Sequence, residues 1–187
     1  MARSLDPDLG ERVAESMEER NVRVLVSTMV ERIEGAERVT GVVAGSRTIA
    51  ADVVVLAVGG RPVSELAQEA GIPVGATGGI VVDDRQHTGV EGVWSAGDCA
   101  EVYHRVTNEM VNMHLGTVAN KTGRIAGINI VGGHATFPGV LGTAITRFHD
   151  LEISVTGASR RYAVAAGIEA VDVTVSGLTA AHYMAVA

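Results

Sequence analysis

The sequence predicts an α/β protein, and three features lead to that class. Patterns typical of helices and of strands alternate along the 187 residues, as expected when helices and strands pack in layers. Apolar residues make up 47% and charged residues 20%, the composition of a folded globular protein rather than a disordered chain. Aromatic residues reach only 3% while glycine occurs 23 times, which favours tight turns and close backbone approaches.

The first part of the chain predicts one helix followed by strands. Asp6 is placed to act as the N-cap and Pro7 occupies the first helical position, so the helix begins there. Asn21 is the expected left-handed stop. The alternating "VRVLV" at 22–26 predicts a strand, and "RVTGVVAGSRTIAADVVVLAVGG" at 38–60 predicts a hairpin followed by a buried strand.

The second part predicts further short elements joined by glycine-rich turns. We expect a helix from Val63 to Ala70 that stops at Gly71, and the longest helix within 114–133. The remaining expected elements are two short strands around a turn within 78–98, paired strands within 137–157 with a turn near Asp150, a short helix within 159–167 closed by Gly167, and a strand at 168–177.

Small residues recur along the longest predicted helix at spacings of three and four: Gly116, Ala119, Gly123 and Gly127. Glycine inside a helix costs about 1 kcal/mol relative to alanine, so several on one stripe need a physical reason. One reason is close packing against a sheet or another helix. The other is a flat ligand lying along that face, and the residues alone leave both open.

A second open question concerns "VWSAGDCAEV" at 93–102, where a short apolar strand runs into Gly97 and Asp98. Gly-Asp is a common turn pair, so Asp98 has an ordinary explanation as a turn or cap residue. In open α/β sheets, however, cofactors bind at the carboxyl ends of strands, where Asp98 would stand.

Charge and residue usage exclude several classes of protein. The formal net charge is -7 with scattered Lys and Arg, so no basic face for nucleic acid is expected. The apolar runs fall well short of the ~20 residues that span a bilayer, and the start does not resemble a signal peptide. The six histidines and single cysteine show no metal-ligand spacing. We therefore expect a cytoplasmic protein with no metal site, no nucleic-acid partner and no membrane partner.

Four segments together carry a family resemblance: "DVVVLAVGGRPVSELAQEAGI", "VDDRQHTGVEGVWSAGDCAEV", "LGTVANKTGRIAGINIVGG" and "FPGVLGTAITRFHDLEISVTG". In this order and spacing they closely resemble the pyridine nucleotide-disulfide oxidoreductases, nearest to the branch of coenzyme A-disulfide reductase, NADH oxidase and NADH peroxidase. The resemblance implies an FAD enzyme that passes hydride from NAD(P)H to flavin and then to a disulfide, peroxide or oxygen.

The resemblance also implies a domain order, with partial doubly wound FAD/NAD(P)-binding domains followed by the start of an α+β dimerisation domain. Residues 1–71 would be the later part of the NAD(P)H-binding domain, 72–138 the C-terminal portion of the FAD-binding domain, and 139–187 a truncated dimerisation domain. The sequence holds no G-x-G-x-x-G and no redox-cysteine segment. We therefore expect a fragment that is inactive alone, working as a homodimer or with a complementing chain that carries the missing N-terminal half.

By the resemblance, five residues would contact FAD. Asp98 matches the acid that hydrogen-bonds the ribityl chain. The other four open a helix beneath the flavin, whose N-terminus would stabilise negative charge developing on the ring: Leu115, Gly116, Thr117 and Ala119.

The remaining implied positions concern the nicotinamide cofactor and the substrate. Gly59 and Gly142, with Thr143 beside it, match segments near the nicotinamide, and a plain strand-to-loop glycine is an alternative for Gly59. Asn120 and Tyr183 match substrate contacts, Tyr183 reaching into the partner subunit's site, and an exposed helical Asn is an equal alternative for Asn120. We expect no catalytic residue in this chain, because Cys99 follows the FAD acid rather than occupying the redox motif.

Overall fold

The computed structural model describes residues 5–177, and within that range the chain forms four α-helices, seven short strands and one 3₁₀ turn. The helices are α1 (Pro7–Glu18), α2 (Glu65–Glu69), α3 (Gly116–Ile130) and α4 (Arg160–Ala165), and the 3₁₀ turn is Gly97–Cys99. The strands are β1 (Arg32–Glu34), β2 (Gly41–Ala44), β3 (Arg47–Ala50), β4 (Val102–His104), β5 (Glu109–Val111), β6 (Ala144–Phe148) and β7 (Leu151–Val155). The mixture of helices and strands agrees with the predicted class.

The strands form three separate antiparallel sheets within the described range. β2 pairs with both β1 and β3, so that Val42 stands opposite Ile33 on one side and Ile49 on the other. β4 pairs with β5, and β6 pairs with β7. Parallel pairing is limited to two single-residue bridges, Ile80 with Ala100 and His104 with Val140. The division of the chain at 71 and 138 stays a prediction.

Local signals placed most elements correctly. The hairpin within 38–60 is β2–β3, the hairpin within 137–157 is β6–β7, and all four predicted helices form. The residues expected to end helices do take left-handed backbone: Asn21 has φ 58°, Gly71 has φ 76° and Gly167 has φ 77°. Turn and stop residues act through their own backbone, so short-range patterns suffice to find them.

Three predicted strands do not form in the structure: 22–26, 53–60 and 168–177. The middle one was expected to be buried, yet Val55 is 84% and Val58 is 90% exposed. The two strands expected within 78–98 are reduced to single bridges, including His87 with Trp94. A strand needs a neighbour to satisfy its backbone hydrogen bonds, and no described segment pairs with these runs in a ladder or bridge.

The hydrophobic core lies beneath the start of α3. Val102 of β4, Val118 of α3 and Val140 are 3%, 6% and 7% exposed and pack together. The partly buried side chains around them are Val111, Met113, Leu115 and Phe137. This core fixes the first turn of α3 against the β4–β5 hairpin and the 137–140 loop. Among the described residues, no helix has the length and apolar character needed to cross a membrane.

Asp6 stands at the predicted N-cap position of α1, but its side chain caps a different helix. It makes no capping hydrogen bond to α1. Its carboxylate oxygens accept hydrogen bonds from the backbone N–H groups of Arg160 (2.8 Å) and Arg161 (3.1 Å) at the start of α4. At the other end of α1, Arg20 pairs with Asp150 in the β6–β7 turn. Helix α1 is therefore held along the C-terminal hairpin and α4.

We expect Asp6→Ala to lower the free energy of unfolding near neutral pH by about 0.5–1 kcal/mol, a cap's value reduced for solvent exposure. The hydrogen bonds from Arg161 and Arg160 lower the pKa of the Asp6 carboxyl. Its contribution is therefore present above the unfolded-state pKa and is lost as the pH falls through the folded-state pKa. The measurement is urea unfolding at neutral and acidic pH of three proteins: the parent, Asp6→Ala and the exposed control Asp52→Ala. If the free energy of unfolding of Asp6→Ala stays below that of the parent by the same amount in acid, the expectation is wrong.

Candidate functional site

The Gly97–Cys99 turn is docked on the first half of α3. Gly97 has φ +80°, a backbone conformation that glycine adopts without strain. Its N–H donates to the hydroxyl of Thr122 at 3.0 Å, and a methyl group on Gly97 would lie 3.5 Å from the Cβ of Ala119. Thr122 itself is fully buried. The turn is therefore held by a hydrogen bond and by close approach to small side chains.

Asp98 sits at the centre of this turn and presents its side chain outward. The side-chain amide of Asn112 donates to the backbone carbonyl of Asp98 (2.8 Å) and to that of Ala100 (3.3 Å), which fixes the backbone. The Asp98 carboxylate is exposed and accepts no hydrogen bond from any residue between 5 and 177. The backbone of Asp98 is therefore held in place, and its carboxylate is an acceptor available to a ligand.

The start of α3 offers hydrogen-bond donors beside the same turn. Leu115 is the N-cap, with φ −130° and ψ 124°, and its side chain makes no cap. Its carbonyl accepts from the N–H groups of Val118 (2.9 Å) and Ala119 (3.0 Å). Within the described range the N–H groups of Gly116 and Thr117 have no acceptor. A helix start with free N–H groups favours negative charge.

The two glycine loops predicted to lie near a nicotinamide both reach the segment before α3. Gly59 has φ +89°, and a methyl group on its neighbour Gly60 would lie 3.0 Å from the Nδ1 atom of His114. Gly142 has φ +71°, and a methyl group there would lie 3.6 Å from the Cε atom of Met113. The 59–60 loop and the Gly142 loop therefore meet at residues 113–114.

An open cleft of about 1560 Å³ lies where these loops meet. Gly60, Leu115 and Gly142 line it, together with Asn112 and His104. Asp98 is not among the lining residues, so its side chain lies outside the cleft. Among residues 5–177, no group of three or more His, Cys, Asp or Glu side chains is arranged to hold a metal ion.

His104 is a buried group in this cleft that pattern reasoning missed. It is 1% exposed, its Nδ1 accepts from the N–H of Thr107 at 3.3 Å, and its ring meets Tyr162 edge-on with centroids 5.7 Å apart. Burial lowers the pKa of His104, while nearby Glu109 acts in the opposite direction. We assign the neutral ring with the proton on Nε2. Sequence spacing contained no signal for this burial, because Tyr162 and Gly142, which lie against the ring, are far along the chain from His104.

Asn120 follows Ala119 on the exposed side of α3, beside the predicted contacts but outside both sets of cleft-lining residues. Thr143 hydrogen-bonds Thr156 across the β6–β7 hairpin at 2.7 Å. Cys99 is partly buried, with its sulfur 3.6 Å from the carbonyl of Ala96. Tyr183 lies outside the described residues. The structure thus brings Asp98, Leu115, Gly116, Thr117 and Ala119 together and places the Gly59 and Gly142 loops beside them.

Ala119 of the small-residue stripe on α3 faces the Gly97 turn, whereas the three glycines of the stripe do not pack against other described residues. No atom outside the helix lies within 4 Å of a methyl group built on Gly116, Gly123 or Gly127. The helix buries a different stripe, which consists of Val118, Thr122, Ala126 and Asn129. Close packing within residues 5–177 therefore does not explain the glycines, and the face they form is open.

We expect Gly123→Ala and Gly127→Ala each to raise the free energy of unfolding by about 0.5–1 kcal/mol, because alanine restricts the unfolded chain and meets open space in the helix. Thermal and urea unfolding measure this. Gly45→Ala is the control: it also meets open space, but φ +61° makes the substitution unfavourable there. Destabilisation by both helical substitutions would show that another part of the molecule contacts this face.

Comparison with known proteins adds a family match. Residues 1–123 match the family model described as pyridine nucleotide-disulphide oxidoreductase. The chain is 38% identical over 184 residues to the NAD(P)H sulfur oxidoreductase (CoA-dependent) of Pyrococcus furiosus, covering 98% of this chain and 41% of the relative. It is 37% identical over 157 residues to an NADH oxidase of Methanocaldococcus jannaschii, covering 84% of this chain and 35% of the relative.

Solved structures are also similar to this chain. The NAD-dependent persulfide reductase from A. fulgidus matches with a TM-score of 0.86 and 39% identity, covering 90% of this chain and 31% of that one. An FAD-dependent pyridine nucleotide-disulphide oxidoreductase from Desulfovibrio vulgaris matches with a TM-score of 0.87 and 32% identity, covering 91% and 43%. The chain therefore spans less than half the length of the relatives that it resembles.

Proposed function

Because the chain belongs to the pyridine nucleotide-disulphide oxidoreductase family, we propose that it supplies part of the flavin and nicotinamide sites of an NAD(P)H-dependent reductase in the cytoplasm. Enzymes of this family use FAD and NAD(P)H. FAD bound there would supply the chemistry that links hydride donation by the nicotinamide to reduction of the acceptor. The chain's own contribution is to bind and orient these groups, and we assign it no redox-active side chain.

The observation that supports this most strongly is the docking of the Asp98 turn on the start of α3. The Asp98 carboxylate can accept hydrogen bonds from the hydroxyls of a ribityl chain. The free N–H groups of Gly116 and Thr117 suit a ring atom that gains negative charge. These donors and acceptors have no partner among the described residues and lie on adjoining elements, so the residues present fit a flavin.

For the electron acceptor we favour a sulfur compound over peroxide or oxygen. Proteins named as CoA-dependent sulfur or persulfide reductases are 38–39% identical to this chain over 98% of its length. NADH oxidases match less of it or at lower identity. We therefore propose reduction of a persulfide or disulfide formed with coenzyme A, with NADH oxidase activity as the competing outcome.

Flavin binding by the purified 187-residue chain tests this proposal. Titration of FAD followed by flavin fluorescence should give saturable binding, because the proposed contacts to the ring and to the ribityl chain lie within this chain. Asp98→Ala should weaken that binding about tenfold, the value of one hydrogen bond to a charged group, and Asp52→Ala should leave it unchanged. Absence of saturable binding, or equal affinity in all three proteins, would refute the proposal.

A second candidate function is favoured by one observation, the exposed apolar run at 53–58. Val53, Val55, Leu56 and Val58 are 77%, 84%, 69% and 90% exposed, and apolar patches of this kind often mark protein interfaces. On this view the chain is a non-catalytic dimerisation module or the complementing subunit of a split flavoprotein. Co-expression with a chain carrying G-x-G-x-x-G should yield a complex that Val55→Lys weakens and Glu31→Lys does not. A parent protein that stays monomeric and unpartnered would refute it.

A further inference from the structure

Glu101, which follows the Asp98 turn, is an acidic residue buried without a cationic partner. It is 4% exposed and forms no ion pair with any residue between 5 and 177. One carboxylate oxygen, Oε1, accepts hydrogen bonds from the hydroxyl (2.7 Å) and the backbone N–H (3.2 Å) of Thr77. Removing a charge from water is unfavourable unless polar groups surround it, so a buried acid beside the candidate site needs a physical reason.

The chain at 74–80 forms a tight loop around the Glu101 side chain, and we call it the 74–80 loop. An antiparallel bridge joins its two ends. A methyl group on Gly75 would lie 2.1 Å from the Oε1 atom of Glu101, and one on Gly79 would lie 3.0 Å from its Cγ atom. A side chain at Gly75 would overlap the carboxylate, and one at Gly79 would crowd it. The loop is therefore shaped to enclose this carboxylate.

The 74–80 loop is also hydrogen-bonded to the Asp98 turn. The N–H of Ile80 donates to the carbonyl of Cys99 at 2.7 Å, and the carbonyl of Ile80 accepts from the N–H of Glu101 at 2.9 Å. These two bonds enclose a parallel bridge between Ile80 and a residue that is only 1% exposed, Ala100. The chain that leaves the turn is therefore held by the loop, and the loop is held by the Glu101 carboxylate.

We propose that Glu101 is a positioning residue for flavin binding. Its carboxylate orders the 74–80 loop, and the loop holds the Asp98 turn so that the Asp98 carboxylate meets the ribityl chain. This inference rests on the proposed function, since it explains how one of the proposed flavin contacts is kept in place. Glu101 does not line the cleft and acts through Asp98. Hydrogen bonds at a buried site are stronger than in water, and an acceptor that is already ordered loses less conformational freedom on binding.

FAD affinity measured in a double-mutant cycle tests this inference. Glu101→Ala should weaken FAD binding about three- to tenfold, at most the value of the Asp98 hydrogen bond. In a chain that already carries Asp98→Ala, the same substitution should change the affinity less than about twofold, because the contact through which Glu101 acts is gone. Glu101→Gln keeps an acceptor oxygen for both hydrogen bonds from Thr77 and should bind FAD like the parent.

Three further proteins separate positioning from a general loss of stability. Thr77→Val removes the hydroxyl that donates to Glu101 and should weaken FAD binding in the same direction as Glu101→Ala. Thr77→Ser keeps the hydroxyl and should not. Val43→Ala empties buried space in β2, where the side chain is 5% exposed, and should lower the midpoint of urea unfolding without changing FAD affinity.

Amide hydrogen exchange provides a second measurement that needs no flavin. In Glu101→Ala the N–H of Ile80, which donates to Cys99, should exchange about tenfold faster than in the parent, because the loop that carries it opens more often. The N–H groups of β2 should exchange at the parent rate. Unchanged exchange at Ile80 would overturn the inference.

The FAD titrations can overturn the inference in two further ways. An equal loss of affinity on Glu101→Ala with and without Asp98→Ala would mean that Glu101 supports the fold in general. FAD binding that Asp98→Ala weakens and Glu101→Ala does not refutes this inference and leaves the proposed function standing. If no protein of the set binds FAD, the proposed function is refuted and with it the flavin role of Glu101, and exchange at Ile80 alone decides whether Glu101 fixes the turn.

Discussion

Gly139→Ala should destabilise the protein by about 2–4 kcal/mol, since left-handed strain and steric overlap each cost about 1–2 kcal/mol or more. Gly139 has φ +94°, and a methyl group there would lie 2.4 Å from the carbonyl oxygen of Tyr103. That oxygen accepts the hydrogen bond from the N–H of Val140 at 2.8 Å, and Val140 in turn accepts from Arg105 at 2.9 Å. Relief of the overlap must separate the 137–140 loop from β4.

The comparison variant for this experiment is Gly132→Ala. Gly132 follows α3 with φ +89°, but a methyl group there would have no neighbour within 4 Å. It therefore measures backbone strain alone, and we expect about 1–2 kcal/mol. Urea unfolding of both variants separates strain from overlap. If the two substitutions cost the same, the close approach of Gly139 to β4 would be wrong.

Sequence reasoning succeeded where the cause of a structure lies within a few residues. The hairpin at 41–50 and the turn at His149, with φ 54°, follow from alternation and turn residues nearby. It failed for 53–60, because an apolar run predicts burial only if other strands lie beside it. In the described residues none does, and Val58 stays 90% exposed. An apolar pattern indicates that a segment favours burial, whereas the segments around it determine whether it is buried.

In the candidate site, too, local patterns predicted the individual elements but not the contacts between them. A Gly-Asp pair after an apolar stretch marked the Asp98 turn, and Leu115 was marked as the start of a helix. The contacts that hold these two together come from far along the chain: Thr122 is 25 residues from Gly97, and Asn112 is 14 from Asp98. Lys121 and Arg124 are three residues apart on α3 and share a face, but nothing in the sequence spacing connects them to Arg105, which follows β4 and lines the same cavity. Only the fold brings such groups together.

The contact between Gly97 and Thr122 leads to the second large effect, for Thr122→Val. Valine has the shape of threonine but no hydroxyl, so the N–H of Gly97 would lose its acceptor, at a cost of about 1–3 kcal/mol. Thr122→Ser is the matched control, because it keeps the hydroxyl and loses one methyl group, worth about 1 kcal/mol. Since Gly97 precedes Asp98, we also expect the valine variant to bind FAD more weakly than the serine variant. Stability and FAD affinity equal to the parent in Thr122→Val would mean that other contacts hold the turn.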